Sequence, residues 1–111
     1  TLPYRQITAS SYWSAKKDET YNTWVESDEP LEGEHLKDYY QYKYALAVGF
    51  NMDPTVYGRG SAIFVHCKSY DHWFTAGCVS LEEGNMLRLM RALGDGAYIV
   101  IVPDTESLKN Y

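Results

Sequence analysis

The sequence predicts a single, mainly β domain with one or two helices. Residues 40–49 and 61–67 have the composition and two-residue alternation of strands, and a third apolar segment follows at residues 97–102. Residues 80–93 instead have the apolar spacing of a helix. A chain of 111 residues has room for one modest core, so one domain over residues 1–111 is expected.

The first third of the chain is polar and aromatic and contains only segments that could be short strands or packed loops. Tyr12 and Trp13 form one candidate, and residues 21–25 form another. The acidic segment 27–34 contains a proline and a glycine, which predicts a surface loop. Residues 35–39 could form one helical turn.

The two central segments are the strongest strand predictions. In residues 40–49 every second residue is a tyrosine or an aliphatic residue, so one face of this strand would be apolar. Residues 61–67 are rich in apolar and β-branched residues. Because side chains alternate between the faces of a strand, His66 would point away from Cys67. We therefore expect Cys67 to be a small buried side chain.

The helix prediction rests on capping and periodicity. Ser80 and Glu83 have the spacing of a capping box, which makes Ser80 the predicted N-cap. The predicted core-facing stripe consists of Met86, Leu89, Met90 and Leu93. Gly94 would end the helix. A last buried strand at residues 97–102 and a tail at residues 104–111 complete the prediction.

Composition and charge exclude several classes of function. The formal net charge is −5 and no basic stripe is present, so nucleic acid is not an expected partner. No run approaches the roughly 20 apolar residues of a membrane span. The cysteines and histidines have no metal-site spacing, and no acidic calcium loop is present, so no metal is expected. A Cys67–Cys78 disulfide is allowed by the cysteine count but not implied by it.

Cys78 is the main candidate for a catalytic residue. Gly77, directly before it, permits backbone geometries that other residues resist, and the predicted helix starts two residues later. The positive end of a helix would stabilise a thiolate and lower the pKa of the Cys78 thiol. His66 could take the thiol proton, which would create an acyl-transfer site. The alternative is a core histidine and a cysteine packed under the helix.

The ordered motif around these residues resembles a known enzyme family. Residues 58–66 read Gly-Arg-Gly-Ser-Ala-Ile-Phe-Val-His, and residues 75–79 read Thr-Ala-Gly-Cys-Val. This string is similar to the catalytic core of the L,D-transpeptidase family (YkuD-type domains), in the branch with Gly-Ser-Ala-Ile-Phe before the histidine and Thr-Ala-Gly-Cys after it. The upstream pair Tyr21-Asn22 also resembles that branch, and the resemblance covers roughly residues 12–103.

The resemblance implies a cysteine acyltransferase that acts on peptidoglycan stem peptides, with His66 as general base and Cys78 as nucleophile. A thioester would form at an L,D-peptide bond, and the amine of a second stem would displace it without a metal or organic cofactor. Thr75 and Gly77 would shape the turn, and the N–H groups of Cys78 and Gly77 would form the oxyanion hole. A third group, often a backbone carbonyl in this family, would orient the histidine and is expected within residues 67–76.

The resemblance also implies a fold, a location and an inhibitor class. The fold would be a β-sandwich-like or barrel-like catalytic domain, here monomeric and shortened at its N-terminus because the family's early strands are not evident. The protein would act outside the cytoplasmic membrane, in the bacterial cell wall or periplasm or as a secreted protein. β-Lactams of the carbapenem type would acylate the nucleophile.

The sequence departs from the family pattern on both sides of Cys78. Ala76 and Ser80 stand where many members have a histidine and an arginine. The arginine is a candidate for binding a substrate carboxylate, so its role would be lost or taken by Arg59 or Lys68. Its loss keeps open a hydrolase, an L,D-carboxypeptidase or endopeptidase that uses the same site with water as acceptor.

Several other residues are candidates for the substrate cleft. Ser61 is a candidate for binding substrate. Arg59 could bind a carboxylate, although a loop arginine is more often solvated. His72 and Trp73 could cover the cleft as a lid or belong to an ordinary surface loop. Asp71 could orient His66, although an aspartate in a polar loop is more often solvated. A non-enzymatic wall-binding module remains a third alternative, with the eleven tyrosines and three tryptophans supplying a groove. A Cys67–Cys78 disulfide would favour that alternative.

Overall fold

The computed structural model describes residues 2–72 and 74–111. Within these residues the chain forms six short β-strands in two three-stranded sheets, one α-helix and three short 3-10 helices. The mainly β class predicted from the sequence is confirmed. None of the helices in the described part of the chain has both the length and the apolar character needed to cross a membrane.

The N-terminal sheet is antiparallel and has the order β2-β1-β3. Its strands are β1 (Ser11–Ser14), β2 (Trp24–Glu26) and β3 (Gly33–His35). Gly33 has φ +136°, and a Cβ atom there would lie 2.1 Å from the carbonyl oxygen of Trp13. Only glycine therefore allows β3 to approach β1 this closely.

These strands largely follow the prediction for the first third of the chain. The candidate at Tyr12 and Trp13 is confirmed as part of β1, and β2 overlaps the candidate at residues 21–25. The loop predicted at residues 27–34 ends earlier, because Gly33 and its neighbour begin β3. The helical turn expected next is present as the 3-10 helix Leu36–Asp38.

The second sheet is mixed and carries the motif residues. It has the order β4-β5-β6, with β4 (Ala45–Ala47), β5 (Phe64–Cys67) and β6 (Val79–Leu81). β4 is antiparallel to β5, whereas β6 is parallel to it. All four residues of β5 are buried, so this strand lies at the centre of the fold.

The prediction of a strand at residues 40–49 is wrong for the first half of this segment. Tyr40–Lys43 form a 3-10 helix, and only β4 remains extended. The Tyr42 N–H donates to the carbonyl of Tyr39, which closes a turn in place of a strand pairing. Tyr42 is buried against Phe64, a tertiary contact that the alternating pattern did not reveal.

The helix α1 (Glu83–Ala92) starts later than predicted. Glu82 is its N-cap and has no side-chain capping bond, so the prediction of a capping box with Ser80 as N-cap is wrong. Ser80 lies in β6, where it pairs with His66. Because its backbone is part of the sheet, Ser80 is not the N-cap of the helix. The predicted apolar stripe is confirmed for Met86, Leu89 and Met90, whereas Leu93 is the C-cap of the helix and lies outside the core cluster. Met86 is fully buried on Val65 and Cys67, and Leu89 and Met90 pack beside it.

The C-terminal strand prediction is also wrong. Residues 97–102 form no strand, and Tyr98 and Ile101 are 95% and 70% exposed. An apolar run forms a buried strand only where it pairs with a sheet, and residues 97–102 pair with neither of the two sheets. The predicted tail contains the short 3-10 helix Glu106–Asn110.

Two cores lie on the two faces of β5, which corrects the prediction of a single core. Phe64 packs with Trp13, Leu36 and Tyr42 on one face. Val65 and Cys67 pack with Met86 on the other. Cys67 is 2% exposed, which confirms the prediction of a small buried side chain facing away from His66.

Candidate functional site

The parallel pairing of β5 with β6 brings His66 and Cys78 to one cleft. His66 pairs with Ser80, so Cys78 directly precedes β6 beside Phe64. The cleft has a volume of about 290 Å³. Its lining also includes Glu34, Tyr42, Ser61, Ala62, His72 and Thr75. Residues twelve positions apart in the chain thus line one cleft because two parallel strands start at the same edge.

The imidazole of His66 is held by the backbone. His66 is 5% exposed, and its Nδ1 lies 2.6 Å from the carbonyl oxygen of Cys67. A carbonyl only accepts hydrogen bonds, so Nδ1 carries a proton, and in the neutral tautomer with this bond Nε2 is the unprotonated nitrogen. The ring of Tyr42 meets the imidazole edge to face, with centroids 5.6 Å apart. This arrangement suits a base that acts through Nε2.

The orienting carbonyl lies within the range that the resemblance implied, residues 67–76. Asp71, the other candidate for this role, does not contact His66. Its carboxylate accepts hydrogen bonds from Ser69 (2.6 Å) and His72 (3.0 Å) instead. Those two bonds lower the pKa of Asp71, with the Ser69 hydroxyl as the larger cause.

The thiol of Cys78 is held between two backbone groups of the segment that leads into β5. The sulfur donates to the carbonyl oxygen of Ala62 at 3.3 Å, and the Phe64 N–H donates to the sulfur at 3.4 Å. In this state the S–H group is directed to Ala62 and not to the imidazole. Rotation about the Cβ–Sγ bond would redirect the proton towards the cleft that both residues line.

The pKa of Cys78 is raised, which corrects the prediction of a helix-stabilised thiolate. Burial is the main cause and the negative charge of Glu34 adds to it, whereas the Phe64 N–H acts in the opposite direction. The predicted helix end is absent here because the residues after Cys78 form β6 and α1 begins only at Glu83. The resting thiol is therefore protonated at neutral pH and needs a base.

Thr75 and Gly77 form the turn that presents Cys78. The Thr75 hydroxyl donates to the carbonyl of Cys78 at 2.6 Å and accepts the Gly77 N–H at 3.3 Å. Gly77 has φ +142°, a region that residues with a side chain rarely adopt. The Gly77 N–H is thus already engaged, while the Cys78 N–H precedes the first paired residue of β6, Val79. The Cys78 N–H is the better candidate for an oxyanion donor.

Glu34 and Tyr42 are among the cleft residues that were not identified from the sequence. The Tyr42 hydroxyl donates to Glu34 Oε2 at 2.6 Å, and both side chains line the cleft. Burial raises the pKa of Tyr42, and the bond to Glu34 raises it further. Glu34 belongs to the segment predicted as a loop, and only the pairing of β3 with β1 places it here.

No lysine or arginine side chain lines the cleft in the part of the chain that the structure describes. Arg59 is exposed in the loop before β5 and is not among the lining residues. Lys68 forms an ion pair with Glu82 at 3.1 Å and borders a neighbouring depression. Neither cation is placed as a carboxylate-binding group of the cleft.

The remaining candidates are placed as follows. Ser61 and His72 line the cleft, and His72 also borders the neighbouring depression. Trp73 lies outside the described residues. Both thiols are free, so the structure lacks the disulfide that would have favoured a non-enzymatic module. Across residues 2–72 and 74–111, no group of three or more His, Cys, Asp or Glu side chains could hold a metal ion.

No family model matches the chain, and no curated protein or solved structure shows significant similarity to it. The functional interpretation therefore rests on the motif and on the geometry of the cleft.

Proposed function

We propose that the chain is a cysteine acyltransferase of the L,D-transpeptidase type that acts on peptidoglycan stem peptides. The observation that carries the proposal is the shared cleft of His66 and Cys78, with the imidazole held at Nδ1 by the Cys67 carbonyl. This pairing supplies a nucleophile and an oriented base in one concave site, which are the groups that acyl transfer needs. The motif resemblance supplies the substrate class.

The acylation half-reaction starts from the neutral thiol. Nε2 of His66 takes the S–H proton while the sulfur attacks the carbonyl carbon of the L,D-peptide bond. The carbonyl oxygen becomes an oxyanion, which the Cys78 N–H could stabilise. The C–N bond then breaks, the departing amine receives the proton from the imidazolium, and a thioester on Cys78 remains.

The second half-reaction restores the thiol. The amine of a second stem peptide loses a proton to Nε2 of His66 and attacks the thioester carbonyl. The C–S bond breaks, a new peptide bond remains, and the sulfur recovers its proton from the imidazolium. The cycle balances with one thiol and one imidazole. On this proposal the protein acts outside the cytoplasmic membrane, where peptidoglycan is cross-linked.

Acylation by a carbapenem tests the proposal. Intact-mass spectrometry of the wild-type chain is expected to show one added carbapenem, and peptide mapping should place it on Cys78. Cys78→Ala should remain unmodified, whereas Cys67→Ala serves as the control that retains the reactive thiol. No adduct on the wild type, or an unchanged adduct on Cys78→Ala, would refute the assignment.

Hydrolysis is a second candidate because no cation among the described residues lines the cleft. A transferase must hold the second stem peptide as acceptor, and the family's arginine after the cysteine is absent. Water would then complete the second half-reaction, and the protein would trim stem peptides. Product analysis of a stem peptide with and without an added amine acceptor separates the two. A cross-linked product identifies the transferase, and a shortened stem alone identifies the hydrolase.

A further inference from the structure

Asn22 forms a fully satisfied hydrogen-bonding centre between the two sheets. It is 2% exposed. Its Oδ1 accepts the indole N–H of Trp13 at 2.9 Å and the backbone N–H of Ala62 at 3.1 Å. Its Nδ2 donates to the carbonyls of Phe50 and Asn51, each at 3.0 Å. An amide side chain has two donor and two acceptor positions, and Asn22 uses all four.

The backbone around this centre is unusual. Asn22, Asn51 and Ala62 have φ values of 60°, 53° and 58°, and no other non-glycine residue in the described ranges has a positive φ. Asparagine adopts this left-handed region more readily than other residues with a side chain, whereas alanine does so at a steric cost. The three residues are joined directly by the bonds of the Asn22 side chain. Such conformations persist only where surrounding bonds enforce them, and they concentrate at functional sites.

The unfavourable conformation at Ala62 is connected to the thiol. The Ala62 carbonyl accepts the S–H of Cys78 at 3.3 Å, and Ala62 itself lines the cleft. Asn22 holds the N–H of the same residue. One of the two backbone groups that hold the sulfur is therefore itself held by Asn22, a side chain in the N-terminal sheet region.

We infer that Asn22 is the positioning residue of the nucleophile: it holds Ala62 in its left-handed conformation and thereby presents the Cys78 sulfur to the cleft. The inference rests on the proposed function only in taking Cys78 as the nucleophile. Asn22 does not touch the sulfur or the cleft, so it acts through Ala62. A displacement of the reacting atom by about 1 Å can cost about a hundredfold in rate.

Two readouts test this role in the variant Asn22→Ala. The first is the rate constant for alkylation of Cys78 by iodoacetamide, followed by peptide mapping. The second is the acylation rate at saturating carbapenem, measured separately from the concentration that gives half-saturation. Both rates are expected to fall about tenfold or more, with little change in the half-saturating concentration. Ser14→Ala is the matched control, because Ser14 is a fully buried polar residue that bonds Thr20 and not Ala62.

A double-mutant cycle separates positioning from general stability. Glycine accepts positive φ without a steric cost, so removal of Asn22 should reduce the alkylation rate less in an Ala62→Gly background than in the Ala62 background. Equal losses in both backgrounds, or a loss in Ser14→Ala as large as in Asn22→Ala, would overturn the inference.

If Asn22→Ala does not fold, the variant Ala62→Val is used in its place, because a β-branched residue disfavours the left-handed conformation. Alkylation of Ala62→Val at the wild-type rate would overturn the inference as well.

The two readouts keep this inference apart from the proposed function. Iodoacetamide reports the presentation of the thiol without any enzymatic activity. A wild-type chain that is alkylated but never acylated contradicts the proposed function, while the effect of Asn22→Ala on alkylation still decides the positioning role.

Discussion

The Nδ1 atom of His66 lies 2.6 Å from the carbonyl oxygen of Cys67, its neighbour in β5. A side chain and the backbone of the next residue thus fix the tautomer of the imidazole. The orienting group is part of the strand and cannot be removed by a side-chain substitution. The proposed base therefore depends on the histidine ring itself.

His66→Gln should lower the rate of carbapenem acylation by about 10²- to 10⁴-fold, because the protonated thiol loses its base. The rate constant at saturating carbapenem, followed by mass spectrometry, measures the effect. His35→Gln is the control, since His35 lies in β3 and bonds the Ala9 carbonyl and Asp38. A His66→Gln variant that is folded and acylates like wild type would exclude the imidazole as the base.

The Cys78 thiol should be alkylated with a pH midpoint above the value of about 8.5 that is typical of an exposed cysteine. Burial and then the Glu34 carboxylate raise its pKa, so the reactive thiolate forms only at higher pH. Glu34→Gln removes the negative charge and should shift the midpoint downwards. Iodoacetamide rates across pH measure both effects.

Glu106→Gln is the control for the thiol titration, because Glu106 forms an ion pair with Lys109 in the C-terminal 3-10 helix. A midpoint at or below that of an exposed cysteine in the wild type would show that the thiolate is stabilised, contrary to this prediction. An unchanged midpoint in Glu34→Gln would show that the carboxylate has no influence on the sulfur.

Gly33→Ala should prevent the N-terminal sheet from forming. The added Cβ atom would lie 2.1 Å from the Trp13 carbonyl oxygen, and the φ of +136° is itself unfavourable for alanine. The matched substitution Gly84→Ala places a methyl group in open space at the start of α1 and should stabilise the chain by up to about 1 kcal/mol. Thermal unfolding followed by circular dichroism compares the two. A Gly33→Ala chain with the wild-type melting temperature would contradict the β1–β3 register.

His35 should make stability depend on pH. The Ala9 carbonyl and then Asp38 raise its pKa, so the folded state favours the protonated imidazole. This contribution is complete below the unfolded pKa of about 6.5 and is lost as pH rises through the higher folded value. His35→Gln should therefore lower the melting temperature more at pH 5.5 than at pH 8.5. An equal loss at both pH values would show that the charge of His35 is not involved.

Those parts of the fold were predictable in which the local sequence pattern agrees with the environment that the folded chain gives each side chain. β1, the apolar stripe of α1 and the opposite orientation of His66 and Cys67 follow from the period of the elements, because side-chain direction within a strand or helix depends only on the local backbone. The predictions that failed depended on pairing partners. Ser80 has the sequence context of a capping box, yet it lies in β6 because its backbone pairs with β5. The exposed segment 97–102 has a strand-like sequence without a paired edge.

For the candidate site, the sequence by itself determined which groups are the candidates: a histidine at a strand end and a cysteine after glycine, in an order that resembles one enzyme family. Only the tertiary structure decided how those groups are held. The carboxylate of Glu34 and the bonds from Asn22 to Ala62 act on the cleft through spatial contacts. The physical reason is that the environment of a thiol, and hence its pKa, depends on groups distant in sequence that the packing of two sheets brings together.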